Sequence, residues 1–350
     1  MRKNKILILT RYGDLGASSR VRIYQYLPFL DKETSFTISP FFSNTIIDDL
    51  YRHKKRNYFL ILLAYIKRMF VLSKSSSYDM IWIEKELFPY LPGFFESLFL
   101  SNKKYYLDYD DAIFHNYDMH PNIVIRSLLK NKLKPLISNA NHIFVGNSYL
   151  YNYIVKWNSN VSYIFSVVDE KRYIPIPRIK NKIFTIGWIG SPSTSKYLDP
   201  IINYLNEITD HYEFCLTTIG ASSIYNAKFN ICQYNWTLED EIIQINSFDI
   251  GIMPLVNTPW ENGKCGFKLI QYMACGVPVI ASPVGINSQI VTNEVGFLAN
   301  CKEDWIKYIS VFIENKILRE EMGIKSRIRI ENDFSFNSNI NIFKNYFTKL

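Results

Sequence analysis

Glu261-Asn-Gly-Lys-Cys-Gly-Phe-Lys-Leu-Ile-Gln-Tyr-Met-Ala-Cys-Gly-Val-Pro-Val-Ile-Ala-Ser282 passes from a polar loop into a helix and out into a strand. Asn262, Gly263 and Gly266 make the loop, and an apolar-periodic run follows. Gly276 suits the left-handed residue after a helix, and Pro278 cannot continue one. Val277–Ser282 then reads as a short buried strand. At about 100° per residue, Lys264, Lys268, Gln271 and Cys275 fall along one stripe, opposite Leu269, Ile270, Met273 and Ala274. Two ammonium groups one turn apart, near the free N–H groups of a helix N-terminus, suit a diphosphate. Gln271, one turn deeper, suits a sugar diol. An ordinary amphipathic helix with a solvated polar stripe fits the same pattern.

Tyr272-Met-Ala-Cys-Gly-Val-Pro-Val-Ile-Ala281 resembles the nucleotide-sugar-binding signature of glycosyltransferase family 4 (group 1). That family carries Glu-x7-Glu followed by Ala-Met-Ala-x-Gly-x-Pro-Val-Val-Ala on a two-domain GT-B fold. Gly263 stands at the first glutamate position and Gln271 at the second, where the family holds the donor ribose. Phe248-Asp-Ile-Gly-Ile-Met-Pro-Leu255 resembles the strand before this loop. The resemblance implies two Rossmann-like, doubly wound α/β domains facing a cleft.

Composition agrees with two domains. The chain has 350 residues, 48% of them apolar, and a formal charge of +8, enough to bury two cores of ordinary size. The positive charge suits a partner with phosphates, a membrane surface or a nucleic acid. No nucleic-acid motif accompanies it, and the basic residues are scattered, so no nucleic-acid partner is expected. Five cysteines without paired spacing suggest neither a disulfide framework nor a zinc site. The N-terminus lacks the pattern of a signal peptide, and no apolar run approaches the ~18–20 residues of a membrane span. A cytoplasmic protein is expected.

From the N-terminus, Ile6–Thr10 reads as a parallel strand, followed by a loop with Gly13 and Gly16 and a helix opening with Ser18, Ser19, Arg20 and Arg22. Further strands are predicted at Phe36–Phe42, Asp79–Glu84, Lys104–Asp108, His142–Gly146 and Val161–Val168. Basic residues Arg52–Arg56, Lys67 and Arg68 flank the apolar run Tyr58–Ile66. This pattern fits either an interfacial helix drawn to anionic lipid or an ordinary domain helix. Residues 170–182, with Pro175 and Pro177 among charges, read as a linker. The expected domains are therefore 1–169 and 183–335. Residues 336–350 form a last helix that returns Phe343, Tyr346 and Phe347 to the first domain. In the second half, Phe184–Ile189, Phe214–Ile219 and Phe229–Tyr234 read as strands. Gly190-Ser191 through Lys196 forms a turn suited to phosphate.

Ligands in such sheets bind beyond the carboxyl ends of the strands. That rule singles out Glu84, Glu86, Asp108, Asp110, Asp111 and His115. Asp108-Tyr-Asp110 also fits an Asp-x-Asp metal clamp, yet the cationic phosphate site makes a metal unnecessary. The implied activity is transfer of a sugar from a nucleoside diphosphate sugar to a glycan or lipid-linked acceptor, with retention. It would serve cell-surface polysaccharide synthesis, with the inner face of the plasma membrane as a candidate location. The candidate catalytic residues are Asp110, Asp111, His115, Lys264 and Lys268. Donor binding falls to Gly16, Gly190, Ser191, Lys196, Gly263, Gly266, Phe267 and Gln271, and acceptor binding to Arg20, Glu84 and Glu86. No cofactor and no metal are expected. The loss of both motif glutamates fits an alternative, a nucleotide-sugar-binding subunit without activity.

Overall fold

A computed structural model describes residues 4–30, 34–51, 57–177 and 183–347. The basic run Arg52–Arg56 and residues 178–182 of the expected linker lie outside the described residues. The chain forms two compact units. The first runs to Ser166 and takes in Thr258–Cys265 and the chain from Asn339 onward. The second comprises Val167–Asn257 and Gly266–Ser338.

The first sheet contains β1 (Asn4–Leu9), β2 (Thr34–Ile38), β3 (Met80–Glu84), β4 (Tyr105–Tyr109), β5 (His142–Val145) and β6 (Val161–Tyr163). Their order is β2-β1-β3-β4-β5-β6, with every pairing parallel. Strands buried on both faces need continuous apolar runs, and Ile6–Leu9 and Ile81–Ile83 supply them. The second sheet contains β7 (Phe184–Ile189), β8 (Phe214–Ile219), β9 (Asn230–Tyr234), β10 (Ile250–Met253), β11 (Val279–Ala281) and β12 (Gly296–Leu298). Its order, β12-β11-β10-β7-β8-β9, is again all parallel. Both are doubly wound α/β sheets, as the sequence implied. The strand order reverses beside β1 in the first unit and beside β7 in the second. Such switch points open a crevice at the carboxyl ends of the strands. Thr10–Gly16 leaves the first crevice, and Gly190–Lys196 leaves the second.

Seven helices frame the functional surfaces of the two units: α1 (Ala17–Arg22), α2 (Tyr58–Ser73), α3 (Gly93–Leu100), α4 (Ile123–Leu129), α5 (Glu241–Asn246), α6 (Phe267–Ala274) and α7 (Phe336–Phe347). Asn57 caps α2, its side-chain oxygen accepting the N–H groups of Phe59 and Leu60. Ala64, Arg68 and Leu72, each four residues on from the last, form its buried stripe. Arg68 therefore does not serve as the outward cation expected beside the apolar run. Its guanidinium donates to the carbonyls of Thr10 at 2.9 Å and Ser39 at 3.1 Å, closing the ends of β1 and β2.

Residues 167–177, expected as domain end and linker, pack into the second unit. The Ile176 N–H donates to Asn246 Oδ1 at 2.8 Å, and Val168 bridges to Ser335. Phe343 and Phe347 of α7 are fully buried and lie 5.3 and 4.7 Å from the ring centre of Trp82, in the first unit.

Candidate functional site

In the second unit, candidate side chains gather at the carboxyl end of β7. The Gly190 N–H donates to Ile219 O at 2.9 Å, so the chain leaves the sheet tight against β8. Ser191 then caps the turn Pro192–Leu198 through reciprocal bonds with Thr194. Lys268 lies in the first turn of α6, with Nζ 4.1 Å from the ring centre of Trp188. A Cβ added to Gly190 would come 2.5 Å from that Nζ. Glycine is what allows the ammonium to reach the strand end, where its positive charge can meet an anion. Lys196 is exposed, its Nζ over the ring of Tyr197.

Gln271 is buried one turn deeper. Its amide nitrogen donates to Tyr173 Oη at 3.0 Å and to Glu241 Oε2 at 3.4 Å. Glu241, at the start of α5, is fully buried. It also accepts from Tyr173 Oη at 2.5 Å, Trp236 Nε1 at 2.9 Å and Arg172 Nη2 at 3.3 Å. A carboxylate accepts only, so it holds the NH2 end of the amide toward itself and turns the carbonyl away. Glu241 escaped the sequence reading because Leu238-Glu-Asp-Glu241 looks like a solvated acidic run. Trp236 belongs to the same cluster.

The helix expected to bear Lys264 starts later than its periodicity suggests. Gly266 has a left-handed φ of +67°, and α6 begins at Phe267. Lys264 therefore lies before the helix and not on one stripe with Lys268. The preceding loop packs within the first unit, where Asn147 Nδ2 donates to the carbonyls of Asn262 at 3.2 Å and Lys264 at 2.9 Å. Gly263 there lies so close to Ala112 that a Cβ would clash. Lys264 is half-buried in this loop, while Phe267 is half-buried at the head of α6.

In the first unit, carboxylates converge at the ends of β3 and β4, which pair Glu84 with Asp108. Glu84 is fully buried and accepts from the Arg11 N–H at 2.8 Å and Ser19 Oγ at 2.6 Å, with Ser18 Oγ 2.9 Å away. Glu86 accepts from Lys132 Nζ at 2.6 Å, Tyr117 Oη at 2.6 Å and Arg11 Nη1 at 3.1 Å. Glu84 and Glu86, the pair expected on the acceptor side, are both buried. Both are engaged inside the unit, Glu84 by an N–H and a hydroxyl from the segment after β1 and Glu86 by the side chains of Lys132, Tyr117 and Arg11. Arg20, the third acceptor candidate, is half-exposed and donates to the carbonyls of Asp14 and Leu15. Gly16 caps α1 and lies tight against Tyr12.

Asp108 is engaged by Arg22, which donates Nε at 2.7 Å and Nη2 at 3.1 Å. Burial pushes this carboxyl up to about 6, although Arg22 opposes the shift. Both Asp108 oxygens thus lie in the Arg22 fork. Among the described residues no group of three or more His, Cys, Asp or Glu side chains is placed to hold a metal ion. Asp110 pairs with Lys85 Nζ at 3.0 Å and accepts Ser18 Oγ at 2.5 Å. Burial would raise this carboxyl, but Lys85, Arg22 and Ser18 outweigh it and hold it below the ordinary range. Asp111, more exposed, lies 3.4 Å from the same Lys85 Nζ. His115 is held at both nitrogens, with Asp118 at 2.7 Å from Nδ1 and Tyr149 Oη at 2.7 Å from Nε2. The structure thus brings Asp110 and Asp111 onto one ammonium and orients His115 nearby in sequence.

Residues 225–329 match the family model of glycosyl transferases group 1. No curated protein sequence matches the chain. Among solved structures, HepE from Anabaena in complex with UDP-glucose is 14% identical, with a TM-score of 0.73 over 99% of this chain and 100% of that one. Sucrose-phosphate synthase from Thermosynechococcus elongatus is 13% identical, with a TM-score of 0.72 over 99% and 98%. A glycosyltransferase from Rickettsia africae is 15% identical, with a TM-score of 0.70 over 100% and 99%. At this identity the likeness carries the fold, which is GT-B.

Proposed function

Starting from a group 1 glycosyltransferase domain on a GT-B fold, we propose that this chain moves a sugar from a nucleoside diphosphate sugar to a glycan or lipid-linked acceptor. The observation that carries the reading is Lys268, its ammonium held against Gly190 at the switch point of the second sheet. HepE was solved with UDP-glucose, which supports a donor of this class.

Lys268 and Lys196, with the N–H groups at the start of α6, would stabilise the charge developing on the departing diphosphate. Gln271 would accept a ribose hydroxyl through its carbonyl. Asp110, Asp111 and His115 would contact sugar hydroxyls near the reacting carbon. No activated nucleophile is assigned, which suits front-face transfer with retention. The setting we infer is cell-surface polysaccharide synthesis, in the cytoplasm and peripherally on the inner face of the plasma membrane.

The test is thermal unfolding against UDP-, GDP-, ADP- and TDP-sugars. One of them, at 100 times its dissociation constant, should stabilise the fold by about 2.7 kcal/mol. If none shifts the transition, the donor assignment fails. A second reading, donor binding without turnover, is favoured by glycine and glutamine at the two motif positions. A donor that stabilises the protein but is neither hydrolysed nor transferred would select it.

A further inference from the structure

We propose that the first unit docks on an anionic lipid bilayer through the outward side of α2, continued by α3 and α4. The helix is built inside out. Its one arginine is buried, whereas Phe59, Leu62, Ile66, Met69 and Phe70 are among the large apolar side chains it exposes. At about 100° per residue these five fall within one side of the helix. Neighbouring helices repeat the pattern, with Phe94 and Leu98 exposed on α3 and Ile123, Val124 and Leu128 on α4. Ring contacts link the elements. Tyr65 of α2 stacks on Phe88, Phe88 meets Phe99 of α3, and exposed Tyr90 between them meets His120 just before α4. Large apolar side chains exposed on three helices of one unit mark an interaction site.

Charge selects the occupant. The three helices contain a single carboxylate, Glu96, which is buried against Lys132 Nζ at 2.7 Å. Their outward charges are cationic: Lys67 is exposed on α2, Lys130 follows α4, and Lys74 lies over the Phe70 ring at 4.1 Å. A second copy on this face would bring like charges together with no carboxylate to pair them. Anionic headgroups meet the lysines while aromatic and aliphatic side chains enter the interfacial layer. With Arg68 held inside the unit, α2 lies in the plane of the interface. No helix among the described residues is long and apolar enough to cross a membrane.

Docking stands on the surface alone. Its corollary, an acceptor carried on lipid, rests on the transferase reading. The experiment is flotation of the full chain with vesicles of phosphatidylcholine alone or mixed with phosphatidylglycerol. Binding is expected to the mixed vesicles only. It should weaken as the Debye length shrinks from about 10 Å at 0.1 M salt to about 3 Å at 1 M. The double variant Leu62→Glu, Ile66→Glu should lower the bound fraction roughly tenfold while its unfolding midpoint matches the parent. The proposal is overturned if the parent never floats, if it floats equally with neutral vesicles, or if the folded variant floats as well as the parent. A dimer in light scattering that the variant dissolves would assign the face to a second copy instead. Donor hydrolysis by the parent chain, measured separately, reports on the transferase reading without bearing on docking.

Discussion

The amide nitrogen of Gln271 donates to the buried carboxylate of Glu241 at 3.4 Å. The position where the family signature that this stretch resembles has glutamate is thus neutral beside a carboxylate from another helix. Restoring the motif by Gln271→Glu would bury two carboxylates against each other. Destabilisation on the order of 3 kcal/mol is expected near neutral pH. One carboxyl of the pair would have a raised folded-state pKa, so the loss should appear as pH rises through that value and recede in acid. Urea midpoints of parent and variant at two pH values check this. A variant as stable as its parent at neutral pH would contradict the arrangement.

Lys268 is the cation placed at the end of β7. A charge-assisted hydrogen bond to the donor contributes roughly 1.5–3 kcal/mol. Lys268→Ala should therefore lower kcat/KM by about 10–100-fold, much of it in kcat as the leaving group gains charge. Lys268→Arg should rescue only in part, since a planar fork replaces a point charge beside Gly190. Normal turnover by the folded alanine variant would remove Lys268 from the reaction.

Activity should survive EDTA. The proposed neutralisation of the diphosphate uses lysines, and Asp108, half of the Asp108-Tyr-Asp110 pair, is held by Arg22 at 2.7 and 3.1 Å. Loss on chelation, reversed by Mn²⁺ or Mg²⁺, would show that a metal acts with the donor.

His142 supplies a pH dependence in the first unit. Burial pushes it down to about 4, from 6.5 in the unfolded chain. Its Nε2 lies 3.0 Å from Ser162 Oγ, and its ring centre is 4.2 Å from that of Tyr346 on α7. Between these pKa values the unfolded chain binds a proton that the folded chain refuses. Stability should fall as pH drops through this window. The ring is only about half buried, so solvent screening limits the effect to about 1 kcal/mol or less. Unfolding midpoints from neutral to mildly acidic pH should decline less in His142→Gln than in the parent. Parallel declines would exclude His142 as the source.

Local physics was legible in the sequence wherever one run of residues suffices. Buried parallel strands announce themselves as apolar runs bounded by Gly, Pro or acids, so Phe184–Ile189 and Phe214–Ile219 coincide with β7 and β8. β12, three residues long, offers too short a run to read. The signature after Gln271 implied the fold through its resemblance to the family pattern, while its glycine and proline showed only where a helix ends and a strand starts. Tertiary structure decided which polar groups face inward. Arg68 looks like any basic residue until β1 and β2 end beside it with carbonyls to satisfy. Glu84 and Glu86 look like ligand-facing acids until Ser18, Ser19, Arg11 and Lys132 arrive from distant parts of the chain. Lys264 left the helical stripe because Gly266 takes a left-handed turn that periodicity cannot register. Each of these outcomes depends on desolvation and on hydrogen-bond partners far away in sequence. Spacing along a single segment carries no information about either.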